Sequence, residues 1–337
     1  MTGTSADREA HIIRWGVLGA GGIATSFCSD LALLPDHQVV AVGARRPGTN
    51  TEFADRFNIT NRYDSYAGVV NDPEVDVVYV ATPHPHHFDA AMLAIEAGKA
   101  VLVEKPFTMN AADSRLLAEA ARVRGTFLME AMWTWFLPHI VAIRELVDAG
   151  RIGEIVTVTA EFGAKFGEDS PRAFVLEEGG GALLDIGIYP VSFATMLLGQ
   201  PQQIIATADL GGNGVDVTTS MILRYSSGAH AVLNTTMLAD TPNGACITGS
   251  LARIEIEPEF FRPSSFSIVD GDNTHRERVA VPHEGNGLRH QAAEVGRCLR
   301  IGLLESPILP VAQTISIMET LDEIGRQIGL NYPPRHS

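Results

Sequence analysis

Cysteine is scarce in this 337-residue chain: there are three, Cys28, Cys246 and Cys298, far apart and in no CxxC pair. An odd, scattered set builds neither a disulfide framework nor a structural zinc site, and it fits a reducing compartment. Positive charge is also short, with 25 Lys and Arg against 40 Asp and Glu and a formal net charge of −15. A chain so acidic repels polyphosphate, so no nucleic-acid partner is expected. No run of about 18 uncharged apolar residues occurs, so no membrane partner is expected either. The first residues carry Asp7, Arg8 and Glu9 and hold no apolar signal segment, so the expected location is the cytoplasm.

What is present is apolar residue in quantity, 45% of the chain against 19% charged, and that suffices for a substantial core. The length suits about two domains. Residues 12–18, 39–42, 75–81 and 100–103 are short continuous apolar runs, which read as strands. Helical spacing appears between and after them: Ile23, Phe27, Leu31 and Leu34; then Phe88, Met92 and Ile95, stopped at Gly98. Leu117 and Ala121 mark another helix, which Asn110 can cap and Gly125 can end. Strands apolar throughout, each followed by a helix, predict a parallel doubly wound sheet. Past about Gly153 the segments 154–162, 203–209, 218–225 and 230–237 are alternating and β-branched. Turn residues lie among them, Ser226-Ser227-Gly228 and Pro242-Asn243-Gly244, so an antiparallel meander is expected. Helical spacing returns over 288–299 and 311–328. The expected fold is therefore α/β. Residues 1–132 should form a Rossmann domain, and residues 133–337 an α+β domain on a large, open, mostly antiparallel sheet.

The candidate chemistry sits at the ends of these strands. Gly19-Ala20-Gly21-Gly22-Ile23-Ala24 follows the first strand and opens a helix, the context of a GxGxxA dinucleotide fingerprint. The first glycine allows the tight turn, the second lets a pyrophosphate approach, and Ala24 permits close helix–strand packing. At the end of the second strand an NAD site wants a carboxylate for the ribose 2′-hydroxyl. Arg45 and Arg46 stand there instead, and two guanidinium groups suit a 2′-phosphate. NADP is therefore the expected cofactor, with NAD as the alternative.

Thr82-Pro83-His84-Pro85-His86-His87 follows the 75–81 run. Three histidines in four residues raise the question of a metal, but Pro85 stiffens the loop and nothing completes a tetrahedral set, so none is expected. The loop, with Thr82, Pro83, His84 and His87, is read instead as a border for the nicotinamide half of the cofactor. Glu104-Lys105-Pro106 ends the next strand, at the carboxyl edge where open α/β sheets hold ligands. A lysine at the tip of a buried strand needs a wet cleft, where it is suited to proton transfer; the plainer reading is a surface lysine paired with Glu104.

Gly179-Gly180-Gly181 precedes Ala182-Leu183-Leu184-Asp185-Ile186-Gly187-Ile188-Tyr189-Pro190. Three glycines opening a helix suggest backbone amides facing an anion or a crowded substrate, with Asp185 and Tyr189 on one helical face. A phenol, with an ordinary pKa of about 10, needs a nearby cation such as Lys105 to act as a base. The plainer reading makes Asp185 a cap and Tyr189 a core residue.

Taken in order, these motifs resemble the glucose–fructose oxidoreductase and inositol dehydrogenase family, whose signature includes the strand-end Glu-Lys-Pro. Within that family the likeness is to the dihydrodiol dehydrogenase and NADP-dependent xylose dehydrogenase branch. It is carried by Leu128-Met129-Glu130-Ala131-Met132-Trp133-Thr134, residues 180–189 and the 82–87 loop, and it runs from Arg14 to Pro333. The resemblance implies hydride transfer between a nicotinamide and a CH–OH group of a cyclic diol or sugar. It implies Lys105 and Tyr189 as the catalytic pair, where many relatives have histidine in place of the tyrosine. Asp185 would orient a neighbouring hydroxyl, Trp133 and Phe162 would face the substrate ring, and Glu104 would lie on the cofactor side. It further implies a homodimer through the C-terminal sheet. Two other readings stay open: the reverse reaction, reduction of a keto-sugar, and a non-catalytic nucleotide sensor on the same fold, which needs the glycine loop alone.

Overall fold

The computed structural model describes residues 12–44, 48–167 and 170–334. The chain divides into two compact units, Met1–Trp133 with Glu284–Ile315, and Thr134–His283 with Ser316–Ser337. A single cut near residue 132 thus assigns 284–315 to the wrong unit. The reason is a carboxylate that the sequence pattern did not mark. Asp30, 1% exposed, accepts hydrogen bonds from the backbone amides of Asn286 and Leu288, at 2.8 and 2.7 Å, and from the Asn286 side chain. Leu128 N–H also donates to the Leu304 carbonyl, which ties the segment to the sheet edge.

In the first unit, strands β1 (Ile13–Leu18), β2 (His37–Gly43), β3 (Asn61–Tyr63), β4 (Val77–Val80), β5 (Ala100–Val103) and β6 (Leu128–Glu130) form one parallel sheet, ordered β3-β2-β1-β4-β5-β6. Every residue of β4 and β5 is buried, as strands covered on both faces require. Helices α1 (Gly22–Leu31), α2 (Thr49–Phe57), α3 (Tyr66–Val70), α4 (His87–Glu96) and α5 (Ala111–Arg124) connect them. The ends of α5 show local sequence acting alone. Asn110 Oδ1 accepts from the Asp113 amide at 2.8 Å, a cap contributing about 1 kcal/mol, and Gly125 closes the helix at φ 64°. Strand order reverses between β1 and β4, so the loops leaving those two strands are neighbours at the point where such sheets bind ligands.

The second unit holds an eight-stranded mixed sheet, ordered β14-β13-β12-β11-β7-β10-β9-β8. Its strands are β7 (Ile155–Gly163), β8 (Gln203–Leu210), β9 (Asp216–Arg224), β10 (His230–Thr236), β11 (Ala245–Gly249), β12 (Ala252–Ile256), β13 (Phe266–Asp270) and β14 (Arg276–Val279). The meander is antiparallel as expected, with one exception: β10 runs parallel to β7, His230 opposite Thr157. Helix α6 (Pro138–Asp148) precedes the sheet, and a π-helical turn, Leu183–Gly187, leads into helix α7 (Ile188–Leu198), both packed on β7 and β10. Helix α8 (Arg289–Arg300) and helix α9 (Val311–Ile328) complete the chain. The helical stretch Leu176–Leu198 is long and apolar enough to cross a membrane by length and composition, a feature that the expectation of no such run overlooked. With 78% of its apolar window buried inside the protein, it is a core helix.

Candidate active site

Gly19 leaves β1 at φ 99°, and a Cβ there would lie 2.6 Å from the Ala81 carbonyl oxygen, so no other residue fits. Gly21 caps α1 with φ −91°, no side chain among the described residues caps the helix, and its first turn holds no acid. A Cβ on Gly21 or on Gly22 would meet nothing within 4 Å. These two glycines therefore serve no packing purpose; they keep open the space before the helix N-terminus. Ala24 is fully buried against the sheet, and Ile23 is 40% exposed at the loop rim. Across the switch point the Thr82 hydroxyl is buried with no hydrogen-bond partner among the described residues. An open glycine loop, a helix start without a side-chain cap and a hydroxyl with no partner among the described residues fit a dinucleotide. Arg45 and Arg46, expected to read the 2′-phosphate, lie outside the described residues.

The loop after β4 does not line this space throughout. Pro83 precedes a 3₁₀ turn, His84–His86, and His84 packs its ring edge-on at 5.7 Å from that of His87. His87 itself is fully buried, with Nδ1 2.7 Å from the Pro106 carbonyl and Nε2 2.8 Å from the Thr82 carbonyl. Burial first, then the charges of His84 and Lys105, lower its pKa to about 3 against the pull of the two carbonyls. Both ring nitrogens of His87 are taken by backbone carbonyls, so this histidine braces the loop that the sequence placed beside the cofactor.

The same device recurs at the lysine. Lys105 N–H donates to Glu104 Oε2 at 3.1 Å, Pro106 O faces His87, and Phe107 N–H donates to Glu130 Oε1 at 3.1 Å. Three consecutive residues, 105–107, are thus each held at the backbone by a buried polar side chain, and the Lys105–Pro106 peptide among them is cis. Glu104 also accepts from the Tyr79 hydroxyl. Burial raises Glu104 to about 7, opposed by Tyr79 and by the Lys105 charge. Glu130 also rises to about 7 by burial, with the Glu104 charge adding and the Thr314 hydroxyl, the Phe107 amide and Lys105 opposing. Glu104, 5% exposed, therefore anchors the strand tip from beneath; the plain reading of a surface Lys–Glu pair fails because the acid is inside. Trp133, 9% exposed, ends this unit.

In the second unit Tyr189, the second residue of α7 and 8% exposed, packs beside a pair of phenylalanines. Its ring centroid lies 5.4 Å from those of both Phe162 and Phe261, which stack on each other at 3.8 Å and 9°. Thr134 and His139 fix the Phe260–Phe261 segment by donating to its two carbonyls, each at 3.1 Å. Phe261 was missed in the sequence; the adjacent aromatics Phe260-Phe261 in a loop were the available signal. Asp185 lies one turn before Tyr189, but the turn is π-helical, so the shared face rests on wider spacing than an α-helix gives.

The triglycine run departs from expectation. Gly179, Gly180 and Gly181 donate their amides to the carbonyls of Leu176, Val175 and Ala173, and Leu183 N–H donates to Asp216 Oδ2 at 2.8 Å. The anion at this helix start is thus the protein's own Asp216, not a ligand. No group of three or more His, Cys, Asp or Glu side chains able to hold a metal occurs among the described residues.

Residues 13–132 match the oxidoreductase family's NAD-binding Rossmann fold, and residues 140–255 match the GFO/IDH/MocA C-terminal domain. Mouse trans-1,2-dihydrobenzene-1,2-diol dehydrogenase is 39% identical over 330 residues, 95% of this chain and 98% of that protein. This chain belongs to the GFO/IDH/MocA oxidoreductase family. The corresponding dehydrogenase of Xenopus laevis is 41% identical over 332 residues, 95% of this chain and 99% of its own. Among solved structures the 3-ketoreductase KijD10 of Actinomadura kijaniata, bound to NADP and TDP-benzene, is similar at a TM-score of 0.84 and 27% identity, covering 94% of this chain and 98% of its own. As a GFO/IDH/MocA member the chain is an oxidoreductase, and its first unit is the nicotinamide-nucleotide domain.

Proposed function

We propose that this family member is an NADP-dependent dehydrogenase of a cyclic diol or sugar, with Lys105 and Tyr189 as its catalytic residues. The observation that carries the substrate class is the aromatic frame around Tyr189. A hydroxyl-bearing ring with one apolar face suits a tyrosine that stands beside the stacked rings of Phe162 and Phe261 better than a charged or open-chain substrate would. The relatives named for dihydrobenzene diols support that choice.

Gly19, Gly21, Gly22 and the start of α1 would hold the pyrophosphate, and Arg45 with Arg46 the 2′-phosphate. When bound, the nicotinamide supplies the hydride acceptor. We assign removal of the substrate proton to Tyr189 and stabilisation of the developing alkoxide to Lys105, with Asp185 orienting a second hydroxyl and Trp133 offering an apolar wall. The braces on residues 105–107 keep that lysine in place before substrate arrives, which lowers the reorganisation needed for catalysis. KijD10 has been crystallised with a lysine and a tyrosine replaced in turn, at the separation along its chain that Lys105 and Tyr189 have here. Its likeness also favours the reverse reaction, reduction of a keto-sugar, through the same residues.

The outer face of the second sheet supports a homodimer. Ile205, Ile222 and Val232 stand opposite one another on β8, β9 and β10, each 43–55% exposed. We place the protein in the cytoplasm on the strength of its unpaired cysteines.

The test is reduction of NADP⁺ across cyclic diols, aldoses and inositols, with NAD⁺ as control. Selective turnover with NADP⁺ that Lys105→Met and Tyr189→Phe abolish, cofactor binding being retained, is expected. Turnover surviving either substitution would sink the assignment; tight NADPH binding without turnover on any substrate would favour the nucleotide sensor.

A further inference from the structure

The start of the helix carrying Tyr189 is held from two directions. Asp216, at the first position of β9 and fully buried, accepts from the Leu183 amide at 2.8 Å and from the Thr219 hydroxyl at 2.7 Å, both through Oδ2. Its other oxygen, Oδ1, is buried with no hydrogen-bond partner among the described residues. A Cβ on Gly181 would fall 2.3 Å from that oxygen and 3.2 Å from the Tyr332 hydroxyl. Tyr332 lies beyond α9, and its hydroxyl donates to the Gly180 carbonyl at 2.7 Å. The backbone at Gly180 and Gly181 is thus pinned between a strand-borne carboxylate and a phenol from the C-terminal segment. A Cβ on Gly180 would meet the Ala173 and Arg172 carbonyls at 2.6 and 2.7 Å, so the turn has no room to slide.

Holding an unpaired carboxylate oxygen in the core is costly. Burial raises the Asp216 pKa against the hydrogen bonds that lower it, and the Tyr332 phenol is raised by burial and then by the charges of Asp216 and Asp185. An asparagine would serve the Leu183 amide at lower cost. What the charge adds is attraction for the positive end of the π-turn and α7, aimed along the axis that sets Asp185 and Tyr189.

We propose that Asp216 and Tyr332 are positioning residues for the reaction: together they fix the glycine turn from which Asp185 and Tyr189 project. Neither touches substrate; both act through the placement of the helix start. The inference rests on Tyr189 being catalytic, as proposed above.

Tyr332→Phe, Asp216→Asn and Tyr189→Phe are compared in the full-length protein, with steady-state rates on the turned-over diol and with NADPH binding by fluorescence. Tyr332→Phe keeps the ring and its packing and loses only the bond to Gly180. A small displacement of catalytic groups costs far more in turnover than in binding, so kcat should fall about 5-fold for Tyr332→Phe and about 30-fold for Asp216→Asn. NADPH affinity should stay within about twofold, because the glycine loop is untouched, and diol KM should change less than kcat. Wild-type kcat in Tyr332→Phe, with Tyr189→Phe inactive, overturns the inference and leaves the catalytic assignment standing. An active Tyr189→Phe brings down both. If Asp216→Asn does not fold, Tyr332→Phe decides alone, since it removes one hydroxyl and leaves the ring in place.

Discussion

Gly19 and Gly21 stand two residues apart in one loop, yet replacing each by alanine should fail in opposite ways. Alanine at position 19 must take φ 99° and place its Cβ 2.6 Å from the Ala81 carbonyl oxygen. Left-handed backbone costs roughly 1–2 kcal/mol in a non-glycine residue. The clash adds a comparable amount, because the obstacle is backbone of the central strand pair β1–β4 and not a mobile side chain. Gly19→Ala should therefore lose about 2–4 kcal/mol of stability, the range typical of strain at a special backbone position. Gly21→Ala is different. Its φ of −91° is ordinary for alanine, and the new methyl meets nothing within 4 Å, so stability should move by less than about 0.5 kcal/mol. The methyl would stand in the space proposed for the pyrophosphate, weakening NADPH binding about 10- to 100-fold, or ~1.4–2.8 kcal/mol. Urea denaturation without cofactor and NADPH fluorescence titration separate the two quantities. Gly21→Ala with unchanged NADPH affinity would refute the claim that the space beside Gly21 is reserved for the cofactor.

Three further outcomes follow from the geometry. Glu130 is raised to about 7 from an ordinary 4.5, so the folded state binds its proton more tightly than the unfolded state, and that contribution is present below pH 4.5 and lost as pH rises through about 7. Glu130→Gln should accordingly gain on the wild type by ~3 kcal/mol between pH 4.5 and pH 8 in urea denaturation, and a constant difference would contradict the buried-acid picture. Phe261→Ala removes one of the two rings framing Tyr189; it should cost about 3 kcal/mol of stability and raise KM more for a hydrocarbon-ring diol than for an aldose. Equal KM changes for the two substrate types would show that the frame does not select them. Ile222→Glu puts a charge at the centre of the exposed sheet row, and sedimentation should show a dimeric wild type and a monomeric variant; an unaltered dimer would move the interface elsewhere.

Much of the first unit was legible because its signals are local. Asn110 and Gly125 bracket a helix by their own chemistry, and the apolar runs at β1, β4 and β5 need both faces covered whatever the rest of the chain does. Short strands were not legible: β3 has three residues, and β11 to β14 have four or five each, too few to stand out from loops. Motif and context singled out Lys105 and Tyr189, the pair proposed above as catalytic. The sequence marked His87 and Glu104 as well, but it shows that a polar residue is near a strand end and not that its side chain is buried on partners within the protein, as both are. Phe261 and Tyr332 were missed, since each acquires its place through partners that are distant in sequence: Thr134 for one, Gly180 for the other.

By itself, then, the sequence determined the alternation that makes a doubly wound sheet, the glycine turn that leads from β1 into a helix, and the acidic, cysteine-poor composition. Each depends on neighbours within a few residues or on composition. Tertiary structure alone decided that 284–315 pack with the first unit, that β7 and β10 run parallel, and that the anion at the glycine-rich helix start is Asp216. These outcomes depend on which buried polar group finds which partner, and a buried carboxylate takes whatever amide the fold brings to it, however far along the chain that amide lies.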